Sequence, residues 1–483
     1  MSDMGLSIAA SGLAADSALL DTASNNLANI STPGYATEQV NLSPEGAVGL
    51  LGVGQGVIVG SVGQLTDAVY AAANVAAEGI KGAATQANQT MNSIEAIFPE
   101  PSSTGIASQL SALWSDLSTL ASNVNQVGAE QAVVGAAQSV ATSINSSFTQ
   151  LSQLSSSLQS QVGTGVNDGG TLAQANSLLQ QVAQLNVGIV AGTTGGQNVN
   201  ALSDKSSAAV NQLAKLLGVS ATTGANGTVS VYLRGVQLVG GDVAQTLSAT
   251  GSAATSNLNI VTAYGVNVNP QGSIGASLAA VNSTIPTYEQ YLNSVADSLA
   301  TSLNTLQANG MSANGTPGMA IAGGGTALPN IFVDGGSSTT YTTSSPGFNS
   351  AATIAVSPAL LASPSLIATA SAPGPGNTNV IGTPTLDGSN AQAMAALATS
   401  TTGPDAQYRM MIGALGTEAA NVSSASTLAS NLATTAANNV SSISGVNQNT
   451  QEMNILAAQN AFQANSKVVA AINVSLQALL GAV

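Results

Sequence analysis

The chain has 483 residues, of which 44% are apolar but only 3% aromatic; six Lys and Arg face 21 Asp and Glu, and there is no His and no Cys. This length supports roughly two to four domains with buried cores, but the apolar content is Ala and small aliphatics, which suits long, thin helical packing better than an enzyme core. A net charge of −15 argues against nucleic acid, whose phosphates need cations, and against anionic membrane surfaces, because Lys81, Lys205, Lys215, Arg234, Arg409 and Lys467 are too scattered to form a track. The missing Cys removes disulfides, thiolate metal sites and a catalytic thiol.

The first segment, from about Leu6 to Ile30, carries a seven-residue repeat. Leu6, Leu13, Leu20 and Leu27 fall at one heptad position, and Ala9, Asp16, Ala23 and Ile30 at its partner. That spacing predicts one helical stripe of coiled-coil type, stopped by Ser31-Thr32-Pro33-Gly34. Between Gly46 and Tyr70, Val57, Val59 and Val62 alternate with small residues, predicting a short β excursion. From about Ala71 to Ala191 the chain is Ala-, Gln-, Ser- and Leu-rich with helical stripes such as Leu110, Leu113, Leu117 and Leu120, and a turn falls at Gly163 to Gly170. Leu202 to Leu217 predicts another helix. Val229, Val231 and Leu233, then Arg234-Gly235, then Val236 and Leu238, predict a hairpin. Leu258 to Val268 alternates again, and a long helix is expected from about Ile285 to Gln307.

The segment from Gly310 to Gly388 is rich in Gly, Pro, Ser and Thr, with short apolar runs at Ile331 to Val333 and Ile354 to Val356. It reads as a small, separate β-rich domain. Helix returns from about Ala391, with breaks near Gly403 and Gly445. In the last segment Ile455, Ala458, Phe462, Asn465, Val469, Ile472, Leu476 and Leu479 alternate in steps of three and four. Asn465 is the polar exception of the kind that fixes register in a coiled coil. No apolar run approaches the roughly 20 residues a membrane helix needs, so no membrane insertion is expected. The start has no basic stretch of the signal-peptide type, since Asp3 comes early and the first cation is Lys81.

Catalytic patterns are absent from the sequence. Without His there is no Ser-His-Asp arrangement. No Ser precedes a Lys by three residues, and no G-x-S-x-G elbow occurs. No calcium-loop pattern occurs, and Gly52, Gly54 and Gly56 lack the spacing and Lys of a phosphate loop. Asp334-Gly335-Gly336 and Asp387-Gly388-Ser389 read as turns. A paired-carboxylate glycosidase needs clustered Asp and Glu, and here they are sparse. No enzyme activity, cofactor or metal is expected.

The two ends resemble the flagellar rod, hook and hook-associated axial proteins. The resemblance rests on Ser11-Gly12-Leu13, Ser24-Asn25-Asn26-Leu27-Ala28-Asn29 and Thr32-Pro33-Gly34-Tyr35 at one end, and Gln459 to Val468 at the other. Asn200 to Lys205, Leu217-Gly218-Val219, Gly272 to Gly275, Ala351 to Val356 and Ser442 to Asn447 are similar to the hook-associated branch. Asp204-Lys205-Ser206-Ser207 departs from it, as does the scarcity of Arg and Glu in the helices.

The resemblance implies a secreted structural component of the flagellum that joins hook to filament. It implies type III export and assembly as a ring of like subunits through coiled-coil terminal helices. The partners it implies are the hook protein, a second hook–filament junction protein and a flagellar export chaperone. The alternatives are another axial protein (hook or distal rod) or an extracellular helical adhesin.

The expected fold is mainly α with inserted β: a long helical bundle built from both chain ends plus a small β-rich outer domain. The expected division is an N-terminal axial segment at 1–70, a helical domain with a β-hairpin insertion at 71–309, the outer domain at 310–390, returning helices at 391–445 and a C-terminal axial helix at 446–483. The expected assembly residues are Leu6, Leu13, Leu20, Leu27, Ile30, Ile455, Phe462, Val469, Ile472, Leu476 and Leu479.

Overall fold

The computed structural model describes residues 2–46, 54–165, 168–319, 327–337, 339–345, 348–374 and 378–481. The chain opens with a helix, α1 (Ser2–Ala28), and a hairpin, β1 (Glu38–Pro44) and β2 (Val57–Gln64). Four long helices follow: α2 (Ala68–Ile97), α3 (Ile106–Ser122), α4 (Val127–Val162) and α5 (Thr171–Thr194). Asp67 caps α2 by accepting from the amides of Val69 and Tyr70, satisfying donors a helix start leaves free. Then come α6 (Asn200–Leu217) and an antiparallel sheet of β3 (Ser220–Thr223), β4 (Val229–Leu233), β5 (Val236–Gly240) and β6 (Val243–Ala244). A second small sheet holds β7 (Leu247–Thr250), β8 (Asn259–Thr262) and β9 (Asn267–Val268).

α7 (Ser273–Ala279) runs through a π turn, Ala280–Thr284, into α8 (Ile285–Asn309). Pro286 explains the π turn: it has no amide to donate and its ring crowds the preceding turn. The remainder comprises β10 (Gly310–Met311), β11 (Phe332–Asp334), α9 (Ser350–Thr353), β12 (Ile354–Val356), α10 (Pro358–Ala362), β13 (Ala370–Ser371), α11 (Ser389–Ala395), α12 (Pro404–Ser444) and α13 (Gln448–Leu480).

One continuous apolar core runs from Met91 to Ala419. Leu110, Leu113, Leu117 and Leu120 of α3 are fully buried, as are Ile144 and Leu151 of α4. Residues 310–390 do carry short strands, but they are not a unit with its own core. Phe332, Ile354, Leu360 and Ile367 bury in the same core as α4 and α8. Runs of three apolar residues bury too little surface to support a separate domain, so they lie on the helices instead.

Buried carboxamides do the polar work that charges usually do. Asn186 of α5 accepts from the Val229 amide and donates to the carbonyls of Val229 and Gly241. Asn176 does the same for Leu247, Asn304 for Phe332 and Asn282 for Leu258. Each side chain imitates a neighbouring strand, so backbone groups that helix packing would orphan are paired. Among the described residues one ion pair forms, Lys81 with Glu78 at 3.9 Å.

Below the core, α2 is crossed by α6 at close range. A Cβ on Gly82 would collide with the carbonyl oxygen of Lys215, and one on Gly79 would come 3.2 Å from that of Ala214. Elsewhere along the α2–α12 contact, the buried apolar residues Ala77, Ala433 and Ala436 form a small cluster of their own.

Candidate assembly interface

The terminal helices α1 and α13 pack antiparallel. Gly5 lies against Ile472, Gly12 against Asn465, and the Asn26 amide reaches Gln451 Oε1 at 3.2 Å. The steps along the two helices match, seven then fourteen residues, as a heptad seam requires. The seam is thin. Its buried residues are Ala9, Ala15, Asp16, Ala23 and Asn26 on α1, with Gln451 and Ala458 on α13. Small residues let the helices approach closely, but each buries little apolar surface.

The structure distributes the expected assembly residues unevenly. Leu6, Leu13, Leu20 and Leu27 are half-buried, flanking the Ala seam. Ile30 lies beyond the end of α1, in the turn, and is 42% exposed. It leaves the stripe because the chain is already turning: the Thr32 amide donates to Asn29, and the Tyr35 amide to Thr32. Pro33 and a Gly34 with φ of +82° complete a turn that only Gly adopts without strain. On α13, Ile455, Val469, Ile472 and Leu476 are half-buried, Phe462 is 43% exposed, and the side chain of Leu479 lies outside the described residues. Of the eleven, Ile472 is placed directly against α1, at Gly5.

The polar residues that hold this end together were not singled out for that role by periodicity. Asn26 is 1% exposed and makes four hydrogen bonds. Its Nδ2 donates to the Glu38 carbonyl at 2.8 Å and to Gln451; its Oδ1 accepts from Tyr35 Oη at 2.8 Å and the Glu38 amide at 2.9 Å. One carboxamide thereby ties the end of α1 to the turn, to β1 and to α13. The signal was present as Asn25-Asn26 followed by Thr32 to Tyr35, but it gives no partners.

A second polar joint ties this end to the helical body. Asn200 of α6 donates to Glu38 Oε1 at 2.9 Å and to the Val62 carbonyl at 3.2 Å. Gln64 donates to Asp204 Oδ1 at 2.8 Å, and Thr37 donates through amide and hydroxyl to the carbonyl of Ser444. Burial raises the pKa of Asp204 above the usual carboxylate range, outweighing its hydrogen bonds. Burial, then the charges of Glu38 and Asp204, pushes Tyr35 up to about 12.

Two features leave this end open. A groove of about 350 Å³ runs between α1, β1 and α13, with Asp16, Ala23, Asn26, Val40, Gln451 and Ala458 among its walls. α13 exposes Met453, Leu456, Phe462, Val468 and Val474, α12 exposes Leu428 and Leu432, and α2 exposes Val69 and Tyr70. Large apolar groups left in water make these helices a candidate contact surface. No helix among the described residues is long and apolar enough to cross a membrane.

Residues 91–321 match the family described as the flagellar hook-associated protein FlgK helical domain. Residues 6–35 match the flagella basal body rod protein family. No curated protein matches the chain. Among solved structures, the chain is similar to the flagellar hook junction protein FlgK from Burkholderia pseudomallei, at 20% identity and a TM-score of 0.58, over 78% of this chain and 100% of that one. At that identity the likeness is one of fold.

Proposed function

We infer that the chain belongs to the FlgK family of flagellar hook-associated proteins, and that it is a structural component of the hook–filament junction. The observation that carries this is the presence in one chain of a rod-type axial segment at 6–35 and a FlgK helical domain at 91–321. It assembles with flagellar axial proteins, and the flagellum is its place of work.

The finer reading is as follows. The protein leaves the cell by type III export and forms a ring of like subunits on the hook. The hook protein lies on one side of the ring and the second junction protein on the other, and an export chaperone escorts the chain beforehand. It catalyses nothing. Residues 1–70 and 446–483 form the axial assembly part, and the body between them is the spacer that faces outward. The apolar side chains of α13 that lie exposed among the described residues support this reading.

Deletion of the gene tests the role, and Phe462→Asp tests the surface. Phe462 is 43% exposed, so the variant should fold as well as the parent and be exported, yet form no filament and shed flagellin into the medium. Normal swimming in the deletion strain would refute the junction role. Normal swimming with Phe462→Asp as the only copy would refute assembly through this face.

A further inference from the structure

The helix α13 meets α1 along one side. Gly5 lies against Ile472 and Gly12 against Asn465, and Asn26 reaches Gln451, so Gln451, Ala458, Asn465 and Ile472 mark the side that is taken. At 3.6 residues per turn, Met453, Leu456, Asn460, Lys467 and Val474 fall about 160–220° around the helix from Ala458. All five are exposed. They are spaced in steps of three, four and seven, so α13 carries a second heptad stripe turned away from its partner. Lys467 stands in that stripe, and it is the one Lys or Arg in residues 1–70 and 446–483.

The groove between α1, β1 and α13 has the matching character. Ala23, Val40 and Ala458 give it apolar walls, and Asp16 stands at one end. Asp16 is only 8% exposed. Its Oδ2 accepts from Asn465 at 2.7 Å, and among the described residues it has no cationic partner. An enclosed carboxylate held by a neutral amide alone still favours a cation. At the other end lies Glu38, whose two oxygens accept from Asn200 and Asn25. From Asp16 to Asn26 the groove follows ten residues of helix, about 15 Å. Leu456 to Lys467 is eleven residues, about 16 Å.

We propose that the occupant of the groove is a second copy of this chain: the outward stripe of α13 from one subunit lies in the groove of the next, with Met453 and Leu456 against the Ala23–Val40 wall and Lys467 at Asp16. Charge fixes the direction. With the two α13 helices pointing the same way, Lys467 meets Asp16. Reversed, it meets Glu38, whose oxygens are already bonded, and Leu456 is set against the Asp16 carboxylate. Stripe and groove are different surfaces, so the contact is heterologous. It passes from subunit to subunit and closes a ring or winds a helix, where a same-surface contact stops at a dimer. The inference rests on the junction reading for bringing the copies together, and adds to it the two surfaces and their polarity.

The absence of Cys permits a direct test on the full-length chain in flagella. Gln39 lines the groove, and both Gln39 and Leu456 are exposed. Gln39→Cys and Leu456→Cys chains are expressed together in cells that keep the native gene, so that flagella form in any case, and isolated flagella are treated with a short thiol-specific cross-linker. A dimer of the two variants should appear, and neither variant alone should give one. Adding Lys467→Gln to the Leu456→Cys chain should cut the yield about fivefold. Adding Asp16→Asn to the Gln39→Cys chain should do the same, and both changes together should cut it no further, because either one removes the pair. Flagella that yield no mixed dimer would overturn the proposal, as would a dimer from Leu456→Cys alone or a yield indifferent to Lys467→Gln. The junction reading survives those results and falls only if the deletion strain swims.

Discussion

Replacing Asn26 by Ala should loosen the axial end while sparing the body. The change deletes four hydrogen bonds, to the Glu38 amide and carbonyl, Tyr35 Oη and Gln451 Oε1. A net value near 1 kcal/mol for each gives about 4 kcal/mol if every partner stays unpaired. Tyr35 and Glu38 are only half-buried and regain water, so about 3 kcal/mol is the working figure. Opening of the α1–β1–α13 joint then becomes on the order of a hundredfold more frequent. Amide hydrogen exchange reads this segment by segment: residues 2–44 and 448–478 should exchange faster, while α4 and α5 hold their protection. Asn26→Asp keeps the acceptor for Tyr35 and the Glu38 amide, but loses both donations and buries a charge beside Glu38. Its damage should lessen at acidic pH, where the new carboxyl protonates. Unchanged exchange in residues 2–44 of the Ala variant would refute the view that this carboxamide holds the joint.

Gly82→Ala drives a methyl into the Lys215 carbonyl, so α2 and α6 must part, at a cost of about 1–3 kcal/mol in urea unfolding; an unchanged midpoint would count against the close crossing. Asn186→Ala orphans the Val229 amide and two carbonyls, and should cost about 2–4 kcal/mol, with β4 and the turn at Gly241 losing protection first. The pH dependence should run opposite to ordinary acid denaturation. Asp116, Glu130, Asp204, Glu289 and Asp405 all sit above the usual carboxylate range, chiefly through burial. A raised folded-state pKa gives stability that is full below the unfolded pKa and is lost as pH rises through the folded one. Asp168, held down by the Thr164 hydroxyl and amide, and Asp387, where burial is outweighed by bonds from Ser389, Asn379 and Ser371, act the other way. Acidification from neutral pH to about 4.5 should therefore raise Tm, and Asp204→Asn should blunt the rise; a Tm that falls would refute the balance.

Much of the architecture was legible because helices and hairpins announce themselves locally. The hairpin at Arg234-Gly235, the break at Gly163 to Gly170 and the long helix ending at Gly310 all follow from periodicity and turn chemistry over short spans. The resemblance of the two ends to axial proteins was carried by Asn26, Pro33, Gly34 and Asn465, residues whose reasons the fold supplies. The misplaced expectations were long-range ones. The 310–390 segment looked separate because composition cannot say what its short strands lie upon. Of the two heptad positions expected on α1, Ala9 and Ala23, with Ala15 beside them, are the buried ones within the chain, and the Leu position is half-buried. The pairing of Asn26 with Gln451, and of Glu38 with Asn200, links residues far apart in sequence through neutral amides that periodicity treats as filler.

The substitution of amides for charges has a consequence for where such a structure can work. An ion pair weakens as dissolved salt screens it, whereas a neutral carboxamide bonded to a carbonyl has no charge to screen. Of the contacts that fasten strands to helices, none among those described joins two charges, and the Lys81–Glu78 pair sits three residues apart on one exposed helix face, where it is worth little. Between fresh water and brine, then, these fastenings themselves should change little. Joints fastened in this way would keep their stiffness while the ionic strength around them rose and fell, without ion-pair networks retuned to each medium.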